Sequence, residues 1–561
     1  MPDSDANLQI ASLLFPDVRE APADFFRRYP PRNLPPGAIV TRFAPSPTGF
    51  IHIGSIYISL IGRRLTTQSG GIWMLRIEDT DQQREIERGV EQIVESIAAF
   101  GFHPDEGPYA VDPLRERGDY GPYKQSQRKA IYAAFARYLV EKGLAYPSFQ
   151  TTAELDQIRA EQERTGSKTG YYGPWARDRA ITLEEVQRSL AEDKPFVIRI
   201  RAPYPAQKTI CIQDAIRGRL EMPENDQDYV LLKSDGLPTY HLAHAVDDPL
   251  MRVNLVLRAD EWLSTLPLHV QLFEAFGQPL IDYAHIAPIG KMDGNSKRKL
   301  SKRKDPEAAV AYYYQKGYPR QAILEYILNI ANSSCEDWRR ENPAAALEDF
   351  QLNLARMSNS IAMYDPLKLD SVSKDVIAQY SPAEVCRQVL DWARQYDPPL
   401  AGAVAADLEY SQRVFALNSS ILGQTQRKDL ACWSDVRRAY GFFFDPLYEE
   451  SSMSGYNMPA VAPRDLPAIL DGCIASLRGL RDKETWLGSL RAYGESIGFT
   501  TDRKAYKAEP ARFKGVFGDL MMALRVALTN QQQTPDLYDS IQIMGVERAA
   551  RRLAEAKARL S

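Results

Sequence analysis

Three short stretches carry the residue types needed to hold and activate an anionic substrate. The first, Arg42-Phe43-Ala44-Pro45-Ser46-Pro47-Thr48-Gly49-Phe50-Ile51-His52-Ile53-Gly54-Ser55, is a Pro-rich loop opening into a helix. A helix N-terminus offers unpaired N–H groups and a partial positive charge, and Gly54 permits close backbone approach, which suits a phosphate. His52 can donate a further hydrogen bond to a phosphoryl oxygen. Four letters, HIGS, arise often by chance, so a capped helix with an incidental histidine competes evenly with a phosphate site. The second stretch is Glu78-Asp79-Thr80-Asp81. Three carboxylates in four residues repel one another unless a cation sits among them, which implies an ammonium group or a metal. One of the three is expected to do no more than cap the following helix. The third is Arg258-Ala259-Asp260-Glu261-Trp262. An arginine at a strand end in a cleft can grip a carboxylate by two parallel hydrogen bonds. Arg42 and Arg258 with one opposing carboxylate match the three charges of glutamate, although each residue alone is more often a solvated surface group.

A fourth stretch, Gly290 to Pro306, is the most charge-dense. Across 291–305 seven Lys and Arg face two Asp, a local excess of +5. Such runs are usually solvated or face RNA. With Gly294 and Asn295 allowing motion, the favoured reading is a mobile cationic lid that closes on a polyphosphate and stabilises charge developing in phosphoryl transfer.

The elements that must position these residues follow an alternating pattern. AIVTRF (38–43) reads as a strand, SIYISLIGRRLTTQ (55–68) as a helix stopped by Gly70-Gly71, and IWMLRIE (72–78) as a strand. That is a βαβ unit, hence a parallel sheet, whose ligands bind beyond the carboxyl ends of its strands. A helix at 88–100 follows. Helices at 126–142 and near 152–164 with a strand at 196–202 then read as an inserted α+β subdomain. The sheet resumes through an expected hairpin, strand 229–233, turn Ser234-Asp235-Gly236 and strand 239–243, then the strand 253–258. Beyond about residue 310 nearly every segment has helical periodicity. Residues 1–37 end in PPRNLPPG and form an extension that either packs on the body or hangs as a loose tail.

Composition sets outer limits. The 561 residues imply two to five domains, and 44% hydrophobic with 25% charged residues is ordinary globular composition, which excludes disorder throughout. A net charge of −4 argues against coating nucleic acid along the whole length, although the last 61 residues carry 11 basic against 7 acidic side chains. Five dispersed cysteines without a CxxC pair fit reduced thiols in a cytoplasm. There is no apolar run long enough to span a bilayer and the N-terminus is unlike a targeting peptide, so a soluble cytoplasmic protein is expected.

The set RFAPSPTGFIHIGS, GGIWMLRIEDTD, GPYKQSQR, LLKSDGLPTYHLAHAVDD, LRADEWLSTLPLHV and KLSKRK, in that order and spacing, resembles bacterial-type glutamyl-tRNA synthetases, class I aminoacyl-tRNA synthetases. The likeness is strong over 38–340 and weaker beyond. It implies a multidomain α/β protein with a Rossmann-like parallel-sheet catalytic domain, an α+β insertion and all-α anticodon-binding bundles. The implied divisions are the extension 1–37, the catalytic first half 38–121, the acceptor-binding insertion 122–238 and the catalytic second half 239–275. A stem-contact region at 276–378 with the KLSKR loop, a helical bundle at 379–475 and an anticodon-binding bundle at 476–561 complete the chain. The implied activity is ATP-dependent ligation of glutamate to tRNA(Glu) through a glutamyl-adenylate, with Mg2+, as a monomer working in protein biosynthesis.

Carried over by motif, His52 and Lys302 are the catalytic residues. Ala44, His52, Gly54, Ser55, Glu261, Lys299, Ser301, Lys302 and Arg303 would meet ATP. Arg42, Ser46, Glu78, Tyr240, His244 and Arg258 would form the glutamate pocket, with Arg42 on the side-chain carboxylate. The sequence departs from the family in four places. Ser55 stands where class I enzymes often have a second His, and His244 where several relatives have Asn. Residues 146–151 lack the cysteines that hold zinc in some members, so no structural zinc is expected. The stretch 364–380 lacks the family's Trp-Asn core, so that junction is expected to be built differently. Two other readings are a nondiscriminating enzyme that also charges tRNA(Gln), which turns on whether Arg478 or Gly479 takes the anticodon-reading place, and an RNA-binding protein without ligase activity.

Overall fold

A computed structural model describes residues 4–49, 51–301, 303–418, 427–453, 455–456, 458 and 461–560. The chain forms two compact units, residues 1–310 with 327–364, and residues 311–326 with 365–561.

The first unit opens with helices α1 (Ser4–Leu14) and α2 (Pro22–Arg28). Strand β1 (Val40–Phe43), helix α3 (Ile53–Ser69) and strand β2 (Ile72–Leu75) follow, and β1 and β2 pair in parallel with Arg42 beside Met74. All four residues of β1 are buried, so both of its faces are covered, as in a parallel sheet flanked by helices. Gly71 is required at the entry to β2, because a Cβ there would lie 1.9 Å from the Ile39 carbonyl oxygen. Helix α4 (Gly89–Ala99) and the hairpin β3 (Gly107–Val111) and β4 (Leu114–Arg117) complete the first half.

The insertion contains α5 (Lys129–Glu141), β5 (Ala145–Ser148), α6 (Thr152–Thr165), α7 (Leu183–Ala191), β6 (Val197–Ile200), β7 (Thr209–Asp214), β8 (Gly218–Pro223) and β9 (Val230–Leu232). Strands β5, β6 and β9 make one antiparallel sheet, while β7 and β8 join the sheet of the second catalytic half. The turn at Gly236 forms, with a positive φ of 77°, but 239–243 is not a strand. Tyr240–Leu250 is helix α8. Five residues showed an alternation, but over eleven the apolar positions Leu242, Val246 and Leu250 repeat with a helical period and are all buried.

Strand β10 (Leu255–Ala259), helix α9 (Leu266–Ala275) and strand β11 (Asp282–Ile286) follow, with β10 parallel to β11 and Arg258 directly beside His285. The Asn254 amide ties β10 to β1, accepting from Val40 N at 2.8 Å and donating to the Ala38 carbonyl.

The N-terminal extension packs on this unit. Ile10, Leu14, Phe15, Phe25 and Tyr29 share one core with Tyr132, Phe135 and Leu139 of α5 and with the catalytic strands. Each such side chain contributes about 1.5–3 kcal/mol on burial. Arg32 adds a two-pronged bond to Glu106 at 2.6 and 2.8 Å.

Among its described residues the second unit is helical apart from a parallel pair of two-residue strands, Phe499–Thr500 and Gly515–Val516. Several of its helix starts are set by acidic and hydroxyl caps: Asp365, Ser381, Asp397, Asp407, Asp482, Asp502 and Asp536 each accept a backbone N–H from the first turn. A core including Trp433, Tyr440, Phe443, Ile469, Trp486, Leu524 and Leu553 runs through it. In the stretch 364–380, Asp365 caps a helix at Pro366–Gln379 that buries Leu369, Val376 and Ile377.

Candidate functional site

The carboxyl ends of β1, β2, β10 and β11 gather the sequence-predicted residues into two adjoining groups. The first lines a cleft of about 400 Å3. His52, Gly54, Ser55, Tyr57, Glu261, Ile286, Ile289 and Lys299 face it. His52 is the N-cap of α3, and its Nδ1 accepts from Gly54 N at 2.9 Å. The capped helix and the presentation of His52 are therefore one feature, since an accepting Nδ1 leaves the ring proton on Nε2 as a donor. The Pro-rich loop is pinned by backbone bonds, Arg76 N to Phe43 O, Glu78 N to Pro45 O and Ile86 N to Pro47 O, each 3.0 Å. Ala44 and Ser46 lie on that loop, with Ser46 exposed.

The cationic segment is a β-hairpin, β12 (Ile289–Asp293) and β13 (Ser296–Lys299), with Gly294 and Asn295 as its turn. Gly294 has a φ of 59°, the conformation such a turn requires. Part of the +5 excess is offset by Glu307 and Glu261, which lie outside the counted stretch. Arg298 binds buried Asp305 twice, at 2.6 and 2.8 Å, and Lys291 reaches Asp305 at 2.8 Å and Glu307 at 2.7 Å. Lys299 crosses to Glu261 at 2.6 Å. Ser301 N donates to Asp305 at 2.8 Å, and Arg303 is exposed. Lys302 lies outside the described residues.

The second group is a buried polar cluster. Arg42 Nε donates to both oxygens of Asp248 at 3.2 and 3.1 Å, and Arg76 donates to Asp248 and, at 3.2 Å, to Glu78. His244 Nδ1 donates to Asp248 at 2.6 Å, and its Nε2 accepts from the Tyr283 hydroxyl at 2.7 Å. Burial opposes charge on Asp248, yet Arg42, Arg76 and His244 outweigh it and hold its carboxyl well below the usual range. Burial raises Glu78, with Arg76 and Arg42 acting in opposition. Two guanidiniums thus face two carboxylates.

Arg258 differs. It is 4% exposed. Its Nε donates to His285 Nε2 at 2.8 Å, its Nη1 to His269 Nδ1 at 3.0 Å and to the Tyr240 hydroxyl at 3.4 Å, and its Nη2 to the Trp262 carbonyl at 3.4 Å. The Tyr283 ring lies 4.7 Å away. Among the described residues no carboxylate reaches Arg258, so its charge is uncompensated while those of Arg42 and Arg76 are matched. Of this cluster, Arg42, Glu78, Tyr240, His244 and Arg258 are legible in the sequence, whereas Arg76, Asp248, Asp214, His269, Tyr283 and His285 emerge only with the fold. The available signal was the i,i+4 spacing of His244 and Asp248, which becomes visible once 240–250 is read as a helix.

The comparisons with known proteins fit this geometry. The family described as "tRNA synthetases class I (E and Q), catalytic domain" matches residues 38–368, and an "Anticodon binding domain" matches 504–557. Glutamate-tRNA ligase of Clostridium perfringens strain 13 is 44% identical over 97% of this chain and 99% of its own. That of Sorangium cellulosum is 41% identical over 97% and 99%. The chain belongs to the glutamate-tRNA ligase family of class I synthetases. Among solved structures, a glutamate tRNA ligase from Elizabethkingia meningosepticum in complex with its amino acid superposes with a TM-score of 0.73 at 27% identity, covering 93% of this chain and all of that one. The family's class I fold implies ATP as a substrate. Among the described residues no three His, Cys, Asp or Glu side chains come together in a way that could hold a metal ion, and no helix is long and apolar enough to cross a membrane.

The buried histidines make stability pH-dependent. Burial holds His241 and His244 down at about 4 and His269 well below its ordinary 6.5, so the fold keeps them neutral. Below about pH 6.5 the unfolded chain takes up protons that the folded chain refuses, so stability falls as pH drops, by about 1.4 kcal/mol per pH unit for each histidine. Denaturant titrations at pH 7.5, 6 and 5 are expected to give a plateau followed by a progressive loss. Stability unchanged down to pH 5 would contradict the neutral cluster.

Proposed function

We infer that this protein ligates glutamate to tRNA in two steps. A glutamate carboxylate oxygen attacks the α-phosphorus of ATP and pyrophosphate leaves; a ribose hydroxyl at the tRNA terminus then attacks the activated carbonyl carbon and AMP leaves. Beyond family membership, the observation that carries this reading is the buried, carboxylate-free Arg258 beside the matched cluster of Arg42, Arg76, Asp248 and Glu78. One net positive charge there suits a substrate with two carboxylates and one ammonium group.

In this reading Arg42 holds the side-chain carboxylate, Glu78 receives the ammonium group and Arg258 binds from the opposite wall, with Ser46, Tyr240 and His244 around the amino acid. Supporting Arg42 is its Nη2 group, which makes no hydrogen bond among the described residues. The backbone at Ala44, the groups at His52, Gly54 and Ser55, and Glu261, Lys299, Ser301, Lys302 and Arg303 receive ATP. Mg2+ would enter with the nucleotide, held by its phosphates, because the described side chains supply no cage. Replacing Arg42 with Ala is expected to raise KM for glutamate about 10- to 100-fold while KM for ATP stays within about threefold, read by ATP–pyrophosphate exchange. An unchanged glutamate KM would remove Arg42 from the pocket.

The tRNA partner is read as tRNA(Glu). Arg478 and Gly479 are both exposed in a short 3-10 turn, Leu477–Gly479, and Arg478 makes no ion pair among the described residues, which supports Arg478 as the anticodon-facing group. We read the protein as a cytoplasmic monomer, consistent with five cysteines that form no disulfide among the described residues, four of them buried. Glutamate- and tRNA-dependent ATP–pyrophosphate exchange tests the activity. Charging purified tRNA(Glu) and tRNA(Gln) side by side tests discrimination, and equal charging of both would favour the nondiscriminating form.

A further inference from the structure

We propose that Asp214 and His285 are positioning residues that aim Arg258 at the substrate carboxylate while leaving its charge unspent. This rests on the assignment of Arg258 to the glutamate pocket. Asp214 ends β7 and His285 lies on β11, immediately beside Arg258 of β10. Asp214 Oδ2 is 2.6 Å from His285 Nδ1 and also accepts the His285 backbone N–H at 3.1 Å. Asp214 is itself locked, because its Oδ1 accepts from Ile216 N at 2.9 Å and Arg217 N at 2.8 Å. A carboxylate can only accept, so the imidazole proton sits on Nδ1 and the Nε2 lone pair faces Arg258 Nε at 2.8 Å.

The chemistry of this acceptor matters more than its presence. A carboxylate next to Arg258 would fix it equally well but would offset its charge, as Asp248 does for Arg42 and Arg76. A neutral imidazole accepts the Nε–H, orients the guanidinium plane and leaves the positive charge for the substrate. His269 does the same on the Nη1 side, and Tyr283, two residues before His285 on the same face of β11, lies beneath the guanidinium. Asp214, one residue removed from the arginine, supplies the tautomer without touching its charge.

Three measurements on the full-length enzyme test this. His285→Leu is expected to raise KM for glutamate about 10- to 100-fold, with KM for ATP within about threefold. His285→Gln offers an amide oxygen to Arg258 and an amide N–H to Asp214, and is expected to restore glutamate KM to within about fivefold of the unsubstituted enzyme. Asp214→Asn keeps size but presents N–H to His285 Nδ1, driving the ring proton onto Nε2 against the Arg258 donor; it is expected to weaken glutamate binding as His285→Leu does. Nitrogen-15 spectra of histidine-labelled protein read the same point without catalysis, and His285 is expected neutral with its proton on Nδ1. A proton on Nε2, an unchanged glutamate KM in His285→Leu, equal losses for glutamate and ATP, or no rescue by glutamine would each overturn the relay. Absence of glutamate-dependent exchange in the unsubstituted enzyme would instead overturn the functional reading, while the spectra would still report the tautomer.

Discussion

An Asp248→Asn substitution is expected to destabilise the unit formed by residues 1–310 and 327–364 by about 3–5 kcal/mol, the range for an uncompensated buried charge. The Asp248 side chain is fully buried and pairs with both Arg42 and Arg76 while accepting from His244. Asparagine is nearly the same shape, so packing is preserved and the change isolates charge. Its amide group would also turn a donor toward groups that can only donate. Glu78 alone would then face two guanidiniums. Urea denaturation followed by hydrogen exchange in peptides covering 240–259 separates this unit from the second one. A loss below about 1 kcal/mol would mean that the cluster is solvated in solution and that the matched-charge argument fails. Glutamate KM is expected to rise in the same variant, because Arg42 loses the partner that orients it.

The second large effect is expected at Lys302. Changing it to Ala should lower the rate of adenylate formation about 10^2- to 10^3-fold, with less than about a threefold change in KM for ATP. Negative charge builds on the departing pyrophosphate, so a fixed cation contributes most in the transition state. The described flanks are anchored for such a task. Lys299 reaches Glu261 at 2.6 Å on the wall of the cleft that also holds His52, and Ser301 N is bound by Asp305, itself gripped by Arg298. Pre-steady-state measurement of pyrophosphate release separates rate from affinity. Loss of ATP affinity equal to the loss in rate would assign Lys302 to ground-state binding.

Local signals in the chain suffice for several elements built from neighbours in sequence. The helix start at His52 to Ser55 depends on a cap and a glycine within three residues, and the helices after Asp365, Ser381, Asp482 and Asp536 depend on caps placed the same way. The parallel βαβ unit followed from the spacing of β1, α3 and β2. Short windows failed where two periods compete. Residues 239–243 alternate like a strand, and only the longer apolar repeat Leu242, Val246 and Leu250 selects the helix. A charge count over 291–305 leaves out the partners supplied from beyond it, Glu307 for Lys291 and Glu261 for Lys299.

The sequence by itself determined which side chains stand at the ends of the catalytic strands, Arg42, Glu78 and Arg258 among them, because strand alternation and loop chemistry act over a few residues. Only the tertiary structure decided which arginine keeps its charge. Arg42 lies 206 residues from Asp248, and Arg258 meets His285 from 27 residues away and His269 from 11. Charge pairing depends on distance in space, falling away beyond a few ångströms of a buried partner. Chain order therefore left the three arginines alike, and the packing of β10 against β11 made Arg258 the one without a carboxylate.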